Sequence, residues 1–148
     1  AEGYKNFRII LLSHFFRDLD FKFKGSTFDS QTKAQLFKEV RNPAESYYFY
    51  FDTGKMTSGS KGLALTENSI IWTNAIGKAH QLALQDISQV TLHKTGFVFT
   101  DWKLRFNDNK DNEIILSQLS AENVKLFASA IVYFINIASE ANLTLQIP

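Results

Sequence analysis

The sequence predicts an α+β domain in which about seven antiparallel strands form a small barrel or sandwich closed by a C-terminal helix. Three observations support this fold class. Apolar residues recur with a helical period in residues 4–20. Short β-rich runs separated by turn residues fill residues 47–116. A long amphipathic segment then begins near residue 120.

The composition is that of one globular domain. The chain has 148 residues, of which 45% are hydrophobic and 21% charged, far from the composition of disordered proteins. A chain of this length can bury one core of its own. We expect residues 1–43 to form a helical segment that packs on a barrel built from residues 44–148, which includes the final helix.

Charge and cysteine content exclude several classes of partner. Sixteen basic and fifteen acidic residues are interspersed and leave a net charge of +1, so no field gathers polyanions and nucleic acid is not expected. Without cysteine there are no disulfides and no thiolate metal sites. The apolar run at residues 9–12 is too short to span a membrane, and no cleavage site follows it. The sequence therefore predicts a cytoplasmic protein.

The first predicted helix covers residues 4–20. Phe7, Leu11 and Phe15 recur every four residues along it. Residues 21–28 then alternate aromatic and polar side chains, which is typical of either a short strand or an extended linker.

A second helix is predicted in residues 29–40. Asp29 or Ser30 can cap it. Pro43 stops it, because the residue before a proline avoids helical angles.

The middle of the chain reads as a series of short strands. Five consecutive aromatic residues at 47–51 place rings on both faces of the first strand. A turn at Glu67 and Asn68 joins the next two runs into a hairpin. The predicted strands are residues 47–51, 63–66, 70–73, 80–84, 87–92, 97–99, 102–106 and 114–116.

The final helix has two apolar stripes. Ser120 can cap it, Glu122 lies in its first turn, and it runs to about Asn142. The main stripe must be buried and consists of Val124, Phe127, Ala128, Ile131, Phe134, Ile135 and Ala138. The second stripe packs either on the first helix or on another molecule, and it is the candidate interaction stripe: Leu126, Ala130, Tyr133 and Ile137.

The order of these elements and two local motifs resemble the bacterial pleckstrin-homology-like (PH-like) domains of unknown function. Residues 62–74, with Trp72, resemble that family's hairpin of glycine, apolar residues, threonine, a polar turn, apolar residues and tryptophan. Residues 84–90 resemble the apolar-Asp-Ile start of its next strand. The resemblance covers about residues 44–141 and implies a PH-like barrel with a C-terminal helix.

The resemblance also implies a candidate ligand or lipid loop, residues 52–61. Family members that bind lipid use basic residues in the first hairpin and on the next strand. Here the loop offers Lys55, Ser58, Ser60 and Lys61, but residues 63–65 carry no basic side chain. Two lysines contribute only about 2 kcal/mol near an anionic membrane surface.

Two motifs come close to known ion or phosphate loops and fail in detail. Residues 54–61 place Ser before Lys after the second glycine, the reverse of a phosphate loop, and a strand pattern follows instead of a helix. Residues 107–113 carry alternating oxygen ligands, but Asn112 and Gln118 stand where a calcium loop needs Gly and a carboxylate. A solvated hairpin turn is the better interpretation, because Asn and Asp tolerate left-handed angles.

No catalytic constellation is visible in the sequence. His14, His80 and His93 are the only imidazoles, and none has metal-site spacing or lies near a nucleophile elbow. Trp72 and Trp102 lie in apolar strand patterns, which favours core positions over stacking on a ligand. We therefore expect no enzyme activity, cofactor or metal.

These features favour a non-catalytic binding module, most simply one for a protein segment or for a second copy of itself. Domains of this kind carry function on loops and edges. The alternative is a membrane-surface adaptor that meets anionic lipid through the loop at residues 52–61, helped by Lys22 and Lys24.

Overall fold

The computed structural model describes residues 3–4, 7–8, 10–12, 47–52, 62–73, 78–96, 101–116 and 120–148, with residues 47–52 described by their backbone alone. Five groups of predictions lie outside the described residues: residues 13–20 of the first helix with Phe15, the linker (21–28), the second helix (29–40), the strand at 97–99 and the loop residues Lys55, Ser58, Ser60 and Lys61.

The first sheet is an antiparallel meander. It consists of β1 (Tyr47–Asp52), β2 (Gly62–Thr66), β3 (Ser69–Thr73) and β4 (Ala79–Ala83), in that order. The predicted hairpin joins β2 to β3. Its turn is tightened by the Oγ1 of Thr66, which accepts hydrogen bonds from the backbone N–H groups of Asn68 (3.2 Å) and Ser69 (2.9 Å).

Both faces of β2 and β3 are buried along their whole length. Leu63 and Trp72 pair across the two strands and belong to the central core. Ala64 and Ile71 pair on the opposite face and have no exposed surface. Strands covered on both faces have continuous apolar runs instead of alternation, and the sequence shows such runs in both strands.

The second sheet contains β5 (Val90–Thr95), β6 (Asp101–Phe106), β7 (Glu113–Ile115) and β8 (Leu145–Gln146), in the order β7-β6-β5-β8. β8 pairs with β5 in parallel, whereas the other pairs are antiparallel. A short 3-10 helix (Leu84–Asp86) follows β4. The strand predicted from Ile87 therefore begins at Val90.

Of the predicted barrel or sandwich, the structure has the sandwich, and the closed barrel is wrong. In the described residues no strand pairing joins the two sheets, and the fold is an α+β sandwich of two four-stranded sheets and a helix. Part of the physical reason lies at the start of β5. There one edge pairs with β6 and the other pairs with β8 through Val90 and Thr91, so β4 cannot pair at those two residues.

The final helix, α1 (Ala121–Ser139), is the core helix. All seven residues of the predicted main stripe are buried. Ser120 caps it as predicted, its Oγ accepting a hydrogen bond from the Asn123 N–H at 3.3 Å. The helix ends before Asn142 because Glu140 adopts left-handed angles. By length and composition α1 could also cross a membrane, but more than half of its apolar window is buried inside the domain.

Trp72 joins the two sheets, as expected of a core anchor. It has no exposed surface, its ring centre lies 5.9 Å from that of Phe106, and it stacks on His80 at 5.6 Å. Trp102 is only half-buried, and the Nζ of Lys94 lies 5.8 Å from its ring centre. The core prediction is thus confirmed for Trp72 and holds in part for Trp102.

Asn107 holds the β6–β7 turn to the start of β5. Its Oδ1 accepts hydrogen bonds from the backbone N–H groups of Ser88 (2.7 Å) and Gln89 (3.2 Å), and its Nδ2 donates to the Asp86 carbonyl (2.8 Å). Asn107 and Asp108 both have positive φ, which confirms the predicted left-handed turn.

Candidate interaction surface

The outer face of α1 carries the candidate interaction stripe, and the structure divides it. Ala130 and Ile137 are buried, so they cannot meet a partner. Leu126 is 44% exposed and Tyr133 is 48% exposed. The part of the stripe available for binding is therefore these last two side chains.

Arg8 connects this face of α1 to the beginning of the chain. Its Nη2 donates a hydrogen bond of 2.6 Å to the Tyr133 hydroxyl. Its guanidinium carbon lies 5.4 Å from the ring centre of Tyr133 and 5.6 Å from that of Tyr4. The hydrogen bond to Tyr133 raises the pKa of Arg8, so the side chain stays charged.

The residues around Arg8 are helical where they are described, and their exposure is uneven. Leu12 is buried and belongs to the core cluster. Phe7 (58% exposed) and Leu11 (54%) instead face outward, although one of the two predicted arrangements packed their stripe on α1. Because Leu12 and Arg8 make the inward contacts, the helical residues present Tyr4, Phe7 and Leu11 to solvent, and Arg8 links this stretch to Tyr133.

We call the combined area the Arg8–Tyr133 surface: Tyr4, Phe7, Arg8, Leu11, Leu126 and Tyr133. Large exposed apolar areas are unusual on a monomer and mark sites of association. Tyrosine and arginine are also enriched in protein interfaces, because they offer apolar area with a polar tip. The arrangement is suited to apolar contact with another protein around one fixed cation.

Reasoning from the sequence found the α1 part of this surface and missed Arg8. One local signal was available, since Tyr4 and Arg8 are four residues apart and such pairs lie on one helix face. The contact between Arg8 and Tyr133 spans 125 positions of the sequence, so no local pattern could reveal it.

Arg105, the other arginine in the described residues, is already paired with carboxylates. Arg105 on β6 is paired with Glu113, with its Nε at 2.7 Å and its Nη2 at 2.6 Å from Glu113 Oε2. This pairing raises the pKa of Arg105, and it also neutralises the charge that a headgroup would need. Asp108 lies 3.5 Å from the same guanidinium.

A polar cleft of about 440 Å³ lies between the β2–β3 turn, the 3-10 helix and the end of α1. Glu67, Ser139 and Glu140 are among the residues that line it, but no histidine is. Among the described residues, no group of three His, Cys, Asp or Glu side chains could hold a metal ion. Its described lining therefore offers carboxylate and hydroxyl oxygens as hydrogen-bond acceptors and includes no imidazole.

Comparison with known proteins gives only distant structural similarity. No family model matches the chain, and no curated protein matches its sequence. The hSac2 domain of the human phosphoinositide phosphatase Sac2 is similar over 80% of this chain and 87% of its own, with a TM-score of 0.48 and 11% identity. A DUF1696 family protein with a pleckstrin-homology domain, from Shewanella loihica PV-4, is similar over 74% of this chain and 96% of its own, with a TM-score of 0.42 and 13% identity. At this level neither neighbour assigns a family or a ligand to the chain.

Proposed function

We propose that the chain is a non-catalytic, cytoplasmic binding module of the PH-like kind that takes a protein partner, either a foreign segment or a second copy of itself. The observation that carries this proposal is the contact between Arg8 and Tyr133. It connects two stretches that carry exposed apolar side chains and lie far apart in the sequence, and these make up the Arg8–Tyr133 surface.

The chemistry of this surface supports a protein partner over a lipid headgroup. Its exposed side chains are mostly aromatic or aliphatic, and burying them yields hydrophobic stabilisation with each Å² removed from water. Its one cation is already held between two tyrosine rings, so little side-chain freedom remains to be lost on binding. Aromatic residues and arginine are the usual sources of binding energy in interfaces.

The test compares the parent chain with the double variant Phe7→Asp/Leu126→Asp. Association would bury the two introduced carboxylates, which is unfavourable. We therefore expect the affinity of the chain for a second copy, or for a cytosolic partner protein, to fall by at least about ten-fold. Sedimentation velocity measures the complex between two copies of the chain. Quantitative cross-linking in cell extract measures the complex with a cytosolic protein. The matched control, Gln85→Asp/Asn109→Asp, adds the same charge at exposed positions elsewhere and should leave both complexes unchanged.

Two results would contradict the proposal. One is a double variant that unfolds at the parent's temperature and keeps every complex. The other is cosedimentation of the parent with anionic vesicles, lost in Lys55→Ala/Lys61→Ala, without any protein complex. That second result would favour the membrane-surface adaptor.

A further inference from the structure

The residues after α1 turn back and complete the second sheet. Glu140 and Ala141 both donate backbone hydrogen bonds to the Asn136 carbonyl, which reverses the chain. The Asn136 side chain then holds Leu143 at both of its backbone groups. Its Oδ1 accepts from the Leu143 N–H at 2.8 Å, and its Nδ2 donates to the Leu143 carbonyl at 3.0 Å.

This trailing segment, residues 141–148, lies in a groove between β5 and α1. β8 pairs with the edge of β5 through Val90 and Thr91 alone. The Nε2 of Gln89 adds a hydrogen bond of 2.9 Å to Gln146 Oε1. Leu143 and Leu145 are only partly buried against the core. The groove therefore accepts an extended segment with apolar side chains two residues apart, through a short pairing.

The reversal imposes an unfavourable backbone conformation at one residue. Glu140 has φ 56° and ψ 39°, the left-handed region that side chains with a Cβ disfavour. These angles are what directs residues 141–148 back along their own α1. A segment that continued away from α1 would not require them.

We propose that two copies of the chain exchange residues 141–148, so that the β8 of each copy completes the second sheet of the other. The β8 pairing and the hydrogen bonds of Leu143 and Gln146 are all made to residues that a second copy also possesses, so exchange can remake them. Exchange breaks the bond from the Ala141 N–H to the Asn136 carbonyl, which belongs to the reversal, and it releases the Glu140 conformation. What opposes it is the freedom lost on association, which makes exchange a matter of concentration. The proposal rests on β5 and α1 and does not require the Arg8–Tyr133 surface.

Sedimentation velocity over a range of concentrations tests the exchange. The parent should show a dimer that grows with concentration. Glu140→Gly, which tolerates left-handed angles, should lower the dimer fraction several-fold at equal concentration, and Glu140→Val should raise it. Leu145→Asp, whose segment fits neither groove, should abolish the dimer.

A second measurement covers the case in which Leu145→Asp fails to fold. A synthetic peptide of residues 141–148, added in excess to the parent, should dissociate the dimer. The same peptide with Leu145→Asp should not.

Four outcomes would overturn the proposal. The first is a parent that stays monomeric at every concentration, and the second is a dimer whose fraction is the same in both Glu140 variants as in the parent. The third is a peptide that binds the parent although no dimer forms. The fourth is a dimer that is abolished by Phe7→Asp/Leu126→Asp but kept in Leu145→Asp. The third would assign the groove to a foreign segment. The last would assign the dimer to the Arg8–Tyr133 surface and leave the proposed function standing.

Discussion

At the scale of single residues, a few amide and hydroxyl side chains form hydrogen bonds with backbone groups at the ends of strands and helices. Thr66 closes the β2–β3 turn, Asn107 ties the β6–β7 turn to the start of β5, and Asn136 fixes Leu143 beside α1. Each supplies partners to backbone groups that lie outside a regular ladder. The sequence predicted the left-handed turn at Asn107 from residue preference, but the partners 18 and 19 positions away follow only from the sheet.

Asn107→Ala should destabilise the protein by about 2 to 4 kcal/mol. It removes the side-chain hydrogen bonds, and alanine lacks the polar side chain that lets asparagine tolerate a positive φ. Urea unfolding followed by fluorescence measures the change. Asn107→Gly keeps the backbone conformation and should lose less. Equal losses in the two variants would mean that the backbone angle contributes nothing.

At the scale of elements, α1 was predictable and β8 was not. A 19-residue helix contains several repeats of its apolar period, so its buried stripe and its serine cap are visible in the sequence. β8 has two residues, which is too short for any period. Its position comes from Asn136 and from the free edge of β5, neither of which is a property of the segment itself.

Phe127→Ala should lower the free energy of unfolding by about 3 to 5 kcal/mol, because it leaves a cavity in the core that α1 shares with both sheets. Thermal and urea unfolding measure this loss. Lys125→Ala, on the exposed side of the same helix, should change stability by less than about 0.5 kcal/mol. A Phe127 variant as stable as the parent would remove α1 from the folding core.

At the scale of the whole molecule, the sequence predicted the order of strands and final helix better than their closure. Apolar β-rich runs and turn residues locate β2, β3 and β6, because these signals are local. Whether two sheets join into a barrel depends on whether the edge strands of one sheet pair with the edge strands of the other. At the start of β5 the edge is taken by β8, which comes from the far end of the chain. For the same reason the exposed face of α1 was visible as an apolar stripe, whereas its neighbour Arg8 was not.

Deleting residues 1–20 should cause concentration-dependent self-association or precipitation, because it removes the buried Leu12 and uncovers the core beneath it. Light scattering and sedimentation are the measurements, and Leu12→Ala is the milder companion variant. A shortened chain that remained monomeric and equally stable at high concentration would show that residues 1–20 do not cover apolar core surface.

The late position of α1 and β8 in the chain has a consequence for protein synthesis. A nascent chain that has reached residue 119 possesses β1 to β7 but has no helix to cover Leu92, Leu104 and Ile114 on the inner side of the second sheet. The pairing of Val90 with Leu145 must wait until the ribosome has released a further stretch of polypeptide. At about 5 to 20 residues per second, this leaves an interval of seconds in which apolar strands and an open sheet edge are exposed to chaperones and to neighbouring nascent chains.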